Sequence, residues 1–549
     1  MGTGGKWIGA AASIWMQCSS GGSYAFGIYS PVLKSTQGYD QSTLDTVSVF
    51  KDIGANAGIL SGLLYSSVAS PRGLSPSSFP FGPWLVHLAG AIQCFAGYFL
   101  MWLSVVGVIH RPPVPAMCLF MLLGAHAQTF FNTANVVTAV HNFPDYSGTV
   151  VGIMKGFLGL SGAVLIQVYQ TLLGGNPSTF ILMLALLPTF VTLLLMFLIR
   201  IDQTNSGDDK KHLDGFSAVA LAVAAYLLII IILKNMFSLP LWARILTLTV
   251  LLVLLASPLK IAIRAQQEEM GRLPDMLSNE RSQLIDDTTV EYEKFFVQED
   301  TIEVLGHAGH ENISSDDNML QLGKDMNLLQ AMRTLNFWLL SVAMLCGMGS
   351  GLATINNISQ IGQSLGYKTV ETNTLVSLWS IWNFLGRFGA GYVSDMLLHT
   401  RGWARPLFIS LTLATMTAGH VIIASGFSGN LYVGSVLVGI CYGSQWSLMP
   451  TVASEIFGVL HMGTIFNTIA IASPIGSSIL SVLVVGSIYD TESSGKGNSC
   501  HGTHCFMLSF FILALVSLVG FLIALILFFR TRRLYWQIRQ RHLQHITRR

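Results

Sequence analysis

The sequence predicts an all-α membrane protein, and its composition and its apolar segments carry that prediction. Of its 549 residues, 52% are hydrophobic and only 11% are charged, whereas about a quarter of the residues of a soluble protein are charged. A soluble domain needs charged side chains to cover its surface. The composition therefore argues against a cytosolic enzyme and against a nucleic-acid-binding protein, which would contain a basic domain.

Fourteen segments are long and apolar enough to span a membrane as helices, which takes about 20 mostly apolar residues. The first is too long for a cleaved signal peptide and lacks a clear cleavage site, so we expect it to be retained. Short loops join most of the segments, as in an α-helical bundle. In chain order they are 7–30, 47–69, 84–108, 115–141, 147–172, 178–200, 215–235, 242–262, 334–360, 371–395, 405–425, 430–452, 462–487 and 504–530.

The distribution of Lys and Arg predicts the orientation. Both residue types are more frequent on the side of the membrane that holds the N-terminus and the arginine-rich end of the chain, so both termini are predicted to be cytosolic. On that side lies 263–333, which has 15 acidic and 6 basic residues and is predicted to be a flexible connector. The basic tail 531–549 is interpreted as a positive-inside stop, with a helix on the lipid surface as the alternative.

Five of the seven cysteines lie in apolar segments, where we expect them to pack as small hydrophobic side chains. Cys500 and Cys505 instead lie in a polar loop that faces the outside or the lumen in the predicted orientation, which favours a disulfide. His501 and His504 leave a metal site as an alternative. Because the C-x-x-C spacing of zinc sites is absent, no metal site is predicted.

A weak internal repeat divides the chain into two halves. Segment 21–39 resembles 349–367, since both end an apolar helix, begin with Gly and close on Gly-Tyr. Two related halves are typical of secondary transporters. The predicted regions are an N-terminal six-helix half (1–200), two inserted helices (201–262), the acidic loop (263–333), a C-terminal six-helix half (334–530) and the basic tail (531–549).

Five stretches spread over nearly the whole chain carry a resemblance to a known family. They are 6–41, NFPDYSGTVVGIMKGFLGLSGA (142–163), LNFWLL (335–340), NFLGRFGAGYVSD (383–395) and WSLMPTVASEIFGVLHMGTIFN (446–467). The chain resembles the plant nodulin-like branch of the major facilitator superfamily, which includes proteins named for a nuclear-fusion defect. It is more distantly similar to monocarboxylate and oxalate/formate porters. The resemblance implies the major facilitator fold, with two six-helix halves and, here, two extra central helices.

A further motif of the superfamily is present in only one half. The inner-loop pattern G-x-x-x-D, followed by basic residues, occurs in the second half as Gly391, Asp395, Arg401 and Arg405. In the first half Ser66 stands where Asp is expected, so we expect the inner gate to be held differently there.

The resemblance implies that four helices line a central cavity, namely those at 7–30, 115–141, 334–360 and 430–452. Each of these helices carries polar side chains on one face. For any one helix, the alternative is interhelical hydrogen bonding without a substrate. The predicted lining residues are Tyr24, Gln128, Asn132, Asn135, Asn356, Gln360, Tyr442 and Gln445.

Two cations, Lys155 and Arg387, lie deep within predicted helices, where a charge is costly unless it faces a partner or a water-filled cavity. In the family fold their helices meet across the two halves, and two cations at that seam favour an anionic substrate. The alternatives are that Lys155 pairs with Asp145 or reaches the membrane surface, and that Arg387 bonds backbone carbonyls.

The same region bears on whether transport is coupled to protons. Monocarboxylate porters place an Asp four residues before a comparable Arg, where this chain has Asn383. Because Asn does not titrate, a coupling proton would need Asp52 or Glu455; otherwise transport is uncoupled. Glu455 ends a helix at the inner face and is also a candidate partner for an inner-loop Arg.

The predicted function is secondary transport of a small organic or inorganic anion by alternating access. We expect a monomer in the plasma membrane or an endomembrane, surrounded by the lipid bilayer, with no cofactor and no nucleic-acid partner. The alternative is a membrane receptor or scaffold of the same fold without transport, which would be consistent with Ser66 and with loop 263–333. An enzyme is not expected, because H-E-x-x-H, G-x-S-x-G and Walker motifs are absent.

Overall fold

The computed structural model describes residues 5–69, 82–174, 176–202, 209–237, 239–297, 325–427, 429–493 and 500–547. Within these ranges the chain is helical and has no strand. The helices are α1 (Lys6–Ser19), α2 (Phe26–Gln37), α3 (Gln41–Asn56), α4 (Ile59–Ala69), α5 (Trp84–Val105), α6 (Val114–Asn142), α7 (Ser147–Leu172), α8 (Pro177–Leu195), α9 (Asp209–Met236), α10 (Leu241–Val297), α11 (Leu328–Met332), α12 (Leu335–Ser364), α13 (Thr369–Arg401), α14 (Arg405–Ser425), α15 (Asn430–Phe457), α16 (Met462–Ala470), α17 (Ala472–Ser477), α18 (Ser487–Ser493) and α19 (His504–Thr547). A π-helical stretch, Ser478–Gly486, joins α17 to α18.

Ten helical segments of the described chain are long and apolar enough to cross a membrane, so the chain is a multi-pass membrane protein. Helices occupy all fourteen predicted segments. Two of the four segments outside the ten, 7–30 and 47–69, are broken into shorter helices. The other two, α13 and α15, are continuous but less apolar. The count of fourteen spans stays a prediction.

Both breaks near the N-terminus have a local cause. Between α1 and α2, a Cβ on Gly22 would lie 2.7 Å from the Tyr98 hydroxyl oxygen, so the backbone approaches α5 too closely for a larger residue. Between α3 and α4, the carbonyl of Ala57 leaves the helical pattern. His126 Nε2 donates to that carbonyl at 3.1 Å, which satisfies it inside the bundle.

The two halves meet along two pairs of helices, α7 with α13 and α4 with α16. Both contacts depend on glycine. A Cβ on Gly391 would lie 2.2 Å from the carbonyl oxygen of Gly148, and a Cβ on Gly62 would lie 2.5 Å from the backbone of Thr464. Helix backbones approach this closely only where one residue lacks a side chain.

The inserted helices α9 and α10 form a hairpin that contacts both halves. It packs against α1 and α7 of the first half and against α13 of the second. The Trp15 indole donates to the carbonyl of Leu255 at 2.6 Å, and the Tyr392 hydroxyl donates to Asp214 at 3.0 Å. The hairpin therefore covers the side of the seam between the halves.

Two segments are more ordered than their predicted descriptions. Helix α10 extends well past residue 262, so much of the stretch predicted as a flexible connector is helical. Lys211 pairs with Glu268 at 3.2 Å on this extension, and good helix formers dominate its sequence. Likewise, α19 continues past residue 530, and Tyr535 is buried against Leu398. The start of the basic tail is thus a packed helix.

Candidate solute-binding cavity

A cavity of about 970 Å³ lies between the two halves. The turn after α1, together with α3, α6 and α7, lines it from the first half, and α12, α13, α15 and α16 line it from the second. Eight of the eleven predicted binding residues line it: Tyr24, Gln128, Asn132, Lys155, Asn356, Asn383, Arg387 and Tyr442. The predicted coupling residue Asp52 also lines it.

The other three predicted binding residues lie outside the lining. Asn135 is buried and accepts a hydrogen bond from His87 at 3.0 Å, so it joins α6 to α5. Gln445 is buried against Gly347 of α12. Gln360 is exposed, away from the cavity. Asn135 thus follows the alternative of interhelical hydrogen bonding, whereas the Gln445 side chain packs between helices without a hydrogen-bond partner among the described residues.

Arg387 lines the cavity and is 2% exposed. The part of the cavity at Arg387 and Lys155 is called its floor. Its Nε donates to Asn383 Oδ1 at 2.5 Å, its Nη1 to the backbone carbonyl of Lys155 at 3.1 Å and its Nη2 to the Tyr24 hydroxyl at 3.2 Å. All three acceptors are neutral. Two of the five guanidinium N–H donors have no partner among the described residues, so the group is held in place but not neutralised.

Lys155 lies beside Arg387 and is also 2% exposed. Its Nζ is 5.2 Å from the ring centres of both Trp446 and Phe466, a range in which cations are attracted to aromatic faces. No carboxylate lies within 4 Å of it in the described chain. The predicted alternative partner, Asp145, is exposed in the turn Pro144–Tyr146.

The charges of the lining are strongly unbalanced. Five cations and one anion line the cavity, and the anion pairs with a neighbour, since Lys51 Nζ lies 3.2 Å from Asp52 Oδ1. The four other cations have no carboxylate partner in the part of the chain that the structure describes. They are Lys155, Arg387, Lys234 and Arg244.

Among the lining residues that were not predicted from the sequence, four bear on the chemistry of the cavity, namely Trp446, Phe466, Lys234 and Arg244. Trp446 lies one turn after Tyr442 on the same face of α15, so helical spacing was a usable signal for it. Phe466 offered no signal beyond apolar character. Lys234 and Arg244 lie at the ends of the inserted helices, where basic residues are ordinarily attributed to the membrane surface.

An ionic network closes the end of the bundle that lies away from the cavity, at the first turn of α7. The opposite end of the cavity is called its mouth. Asp395 accepts hydrogen bonds from the backbone N–H groups of Gly148, at 3.2 Å, and of Thr149, in the first turn of α7. A helix N-terminus favours negative charge. Arg405 donates to Asp395 and, through Nε, to Glu455 at 2.6 Å. Four helices are joined there.

The predicted gating residues divide into two groups. Asp395, Arg405 and Glu455 belong to the network, whereas Arg401 is exposed and lies over the Trp403 ring at 5.8 Å. In the first half, the Ser66 hydroxyl lies 3.4 Å from the Thr464 hydroxyl. Ser66 thus makes a weak neutral contact at the position that corresponds to Asp395.

The loop before α19 contains a disulfide between Cys500 and Cys505. His504 Nε2 lies 3.7 Å from Cys500 Sγ. The five other cysteines are buried and free, so none of them offers an accessible thiol.

Two family models match the chain. One is described as Nodulin-like and matches residues 6–263. The other is described as NFD4, C-terminal domain, and matches residues 322–537. Together they cover most of the chain.

Similar proteins match either nearly the whole chain or one part of it. Protein NUCLEAR FUSION DEFECTIVE 4 of Arabidopsis thaliana is 25% identical over 548 residues, which cover 97% of this chain and 90% of that protein. Probable transporter MCH1 of Yarrowia lipolytica is 28% identical over 171 residues, covering 29% of this chain and 34% of that protein. The proton:xylose symporter XylE, solved with 6-bromo-6-deoxy-D-glucose, superposes with a TM-score of 0.53 at 11% identity, covering 94% of each chain. This likeness shows a shared fold.

Proposed function

Because this chain belongs to the nodulin-like branch of the major facilitator superfamily, we propose that it is a secondary transporter of a small organic or inorganic anion. The single observation that carries the anionic assignment is the pair Lys155 and Arg387. Both side chains are buried at the cavity floor without a carboxylate partner in the described chain. A charge at that depth is costly unless something compensates it, and a bound anion would compensate both.

The chemistry of the two groups differs in a way that suits one anion held by both. The planar guanidinium of Arg387 has two N–H donors left for a carboxylate or a similar oxyanion, which it binds in a defined orientation. Lys155 acts as a point charge on a flexible stem. Trp446 and Phe466 enclose the Lys155 ammonium, so water has little access to it and its attraction for an anion is weakly screened.

We propose that transport proceeds by alternating access. The cavity is lined by the halves of α7 and α13 that lie away from Asp395. The ionic network closes the other end of these helices. Solute would bind at the floor, after which the network opens as the halves rock about it. With the termini on the cytosolic side, as the positive charges favour, the described conformation opens to the outside or to the lumen.

The coupling and assembly of the carrier are proposed on the same basis. Asn383 supplies no proton-binding group next to Arg387, so a coupling proton would be carried by Asp52 or Glu455. Of these, Asp52 lines the cavity and Glu455 lies in the closed network. The functional unit is proposed to be a monomer.

The proposal is tested by uptake into phosphatidylcholine liposomes that contain the purified full-length protein. Labelled acetate, lactate, pyruvate, oxalate, nitrate, phosphate and chloride are compared, with and without a pH gradient. We expect saturable uptake of at least one anion. Arg387→Ala and Lys155→Ala should each reduce it to the level of protein-free liposomes, because the remaining cation cannot replace the missing contact.

Lys260→Ala is the matched control, since Lys260 is an exposed cation on α10 outside the cavity lining, and it should leave uptake unchanged. Thermal stability of each purified variant separates lost binding from lost folding. Wild-type uptake that persists in both cavity variants would overturn the assignment of the anion site.

A further inference from the structure

Beyond the two cations of the floor, the cavity has a second pair of cations at its mouth, contributed by the inserted hairpin. Lys234 lies near the end of α9 and Arg244 near the start of α10, and both line the cavity. These helices lie outside the two six-helix halves, so the proposed alternating-access mechanism assigns them no part.

The contacts of the mouth pair hold the charges in place without neutralising them. Lys234 Nζ donates to Gln167 Oε1 and, at 2.8 Å, to Gln170 Oε1, both on α7. Arg244 Nε donates to the carbonyl of Leu239 at 2.9 Å. Every acceptor is neutral, and both cations line the same cavity.

The hairpin is fixed against α7 at the level of these cations. The side-chain amide of Gln167 donates to the Thr247 hydroxyl at 2.9 Å, and the Tyr226 hydroxyl donates to the Thr247 carbonyl at 2.6 Å. Lys234 and Arg244 are therefore part of a built wall, in contrast to charged side chains that extend freely to the lipid surface.

The mouth and the floor are too far apart to hold one small anion. Gln167 and Gln170 lie 12 and 15 residues after Lys155 on the same helix, which at 1.5 Å per residue is about 18–22 Å. The wall between the two pairs is apolar on the hairpin side, where Leu227, Ile230 and Ile231 line the cavity. Because this separation also exceeds the Debye length of about 8 Å at physiological salt, the two pairs of cations do not hold one small anion together.

We propose that Lys234 and Arg244 form an outer anion-binding subsite, through which the inserted hairpin collects small anions before they reach the floor. The inference rests on the proposed anion transport and adds a role for the inserted helices. A cleft lined by one sign of charge, with walls of low dielectric constant, concentrates ions of the opposite sign. Anions would thus be enriched at the mouth, whereas small cations would be repelled.

The test uses thiol reagents of opposite charge, so its outcome does not depend on knowing the natural solute. Val376 lines the cavity mouth and is 40% exposed, and the five native free cysteines are buried. In the Val376→Cys protein, we measure modification rates with anionic sulfonatoethyl methanethiosulfonate and with cationic trimethylammonioethyl methanethiosulfonate. The ratio of the two rates reports the local potential.

We expect Lys234→Gln with Arg244→Gln to lower the anionic-to-cationic rate ratio about tenfold, in keeping with the size of electrostatic focusing in charged clefts. The matched control is Lys260→Gln with Arg264→Gln, two exposed cations of the same hairpin outside the lining, which should leave the ratio unchanged. A misfolded variant would alter both rates together, whereas a change in potential moves them in opposite directions.

An unchanged ratio in the mouth variant would overturn the outer subsite, even where the liposomes take up anions through the floor site. Failure of the proposed function would look different, because wild-type uptake of every anion would then be absent. Repeating the measurement in vesicles with phosphatidylglycerol distinguishes the source of the anion. Because the negative surface of these vesicles lowers the ratio of every variant alike, the wild type is compared with the mouth variant in the same vesicles. If the two ratios become equal there, the two cations bind lipid phosphate and the subsite for solute is overturned.

Discussion

At the scale of single residues, the pair Asn383 and Arg387 sets the charge of the cavity floor. An amide at position 383 accepts the Arg387 Nε–H at 2.5 Å and leaves the positive charge intact. A carboxylate in the same place would make a charge-assisted pair and cancel that charge. The choice of Asn over Asp therefore decides whether the floor carries two net positive charges or one.

Asn383→Asp is expected to lower the apparent affinity for the transported anion at neutral pH by at least about tenfold, or about 1.4 kcal/mol, because the new carboxylate competes for Arg387. The measurement is the concentration dependence of uptake in the liposome assay. Asn383→Ala is the control, since it removes the same acceptor without adding a charge, and its effect should be smaller. Equal effects of the two substitutions would contradict the role assigned to the neutral amide.

Single residues also show how far the cavity could be predicted. Lys155 and Arg387 were predicted because full charges are rare at that depth and so stand out. Asn135 and Gln445 carried the same helical signal as the true lining residues but bond or pack between helices. Helical spacing shows which residues share a face, but it does not show what that face meets, because this depends on the rotation of each helix in the bundle.

At the scale of elements, the contact between α7 and α13 closes one end of the protein. Gly391 lies against the carbonyl of Gly148, and Asp395, one turn later, accepts from the first N–H groups of α7. The glycine allows the approach, and the carboxylate then binds the exposed helix terminus. Separating the helices would break the close packing and the hydrogen bonds together, so the contact is expected to open as a unit.

Gly391→Ala should shift the protein away from the described conformation, because the new Cβ would lie 2.2 Å from the backbone oxygen of Gly148. Overpacking of this kind costs about 1–3 kcal/mol, enough to change populations at least about fivefold. The readout is the rate at which the anionic thiol reagent modifies Val376→Cys, which should fall. Gly389→Ala is the matched control on the same helix, since its Cβ would meet nothing within 4 Å. Equal rates in the two variants would contradict the closure assigned to Gly391.

The elements differ in how well the sequence predicted them. Long uniform apolar runs such as α6 and α7 were predicted within a few residues, because spanning length and composition determine them. The breaks within 7–30 and 47–69 were missed, since each follows from the approach of a neighbouring helix. The extension of α10 was missed because charged composition indicates solvent exposure, while the ion pair from Lys211 to Glu268 stabilises a helix there.

At the scale of the whole molecule, the two predicted halves close by different chemistry. The second half uses a buried network of Asp395, Arg405 and Glu455, whereas Ser66 of the first half makes one long contact between hydroxyl groups. Neutral hydrogen bonds contribute about 0.5–1.5 kcal/mol each, and those to charged groups contribute more. We infer that α7 and α13 provide the main barrier at the closed end.

A receptor or scaffold without transport would also show this asymmetry and the long acidic segment 263–333, which begins within α10. The structure defines a deletion that separates the two functions. The deletion must spare the start of the segment, because Glu268 pairs with Lys211. It must also spare its end, because the backbone N–H of Met326 donates to the carbonyl of Phe457 at 2.9 Å and Asp325 accepts from the backbone of Leu460 at 3.0 Å.

Replacing residues 278–320 with a Gly/Ser linker of about 25 residues, whose root-mean-square span is about 25–30 Å, should leave anion uptake in liposomes within about twofold of the wild type. The cavity, the ionic network and both helix pairs between the halves lie outside the deleted residues. A carrier therefore needs none of the deleted residues for the transport step.

A scrambled segment of the same composition is the control for length and charge. Loss of uptake in the linker variant, with uptake retained in the scrambled one, would show that chain length and charge in this segment act on transport itself. If the protein instead signals through this segment, both variants should lose the cellular output. In that case even the wild-type protein should show no anion uptake.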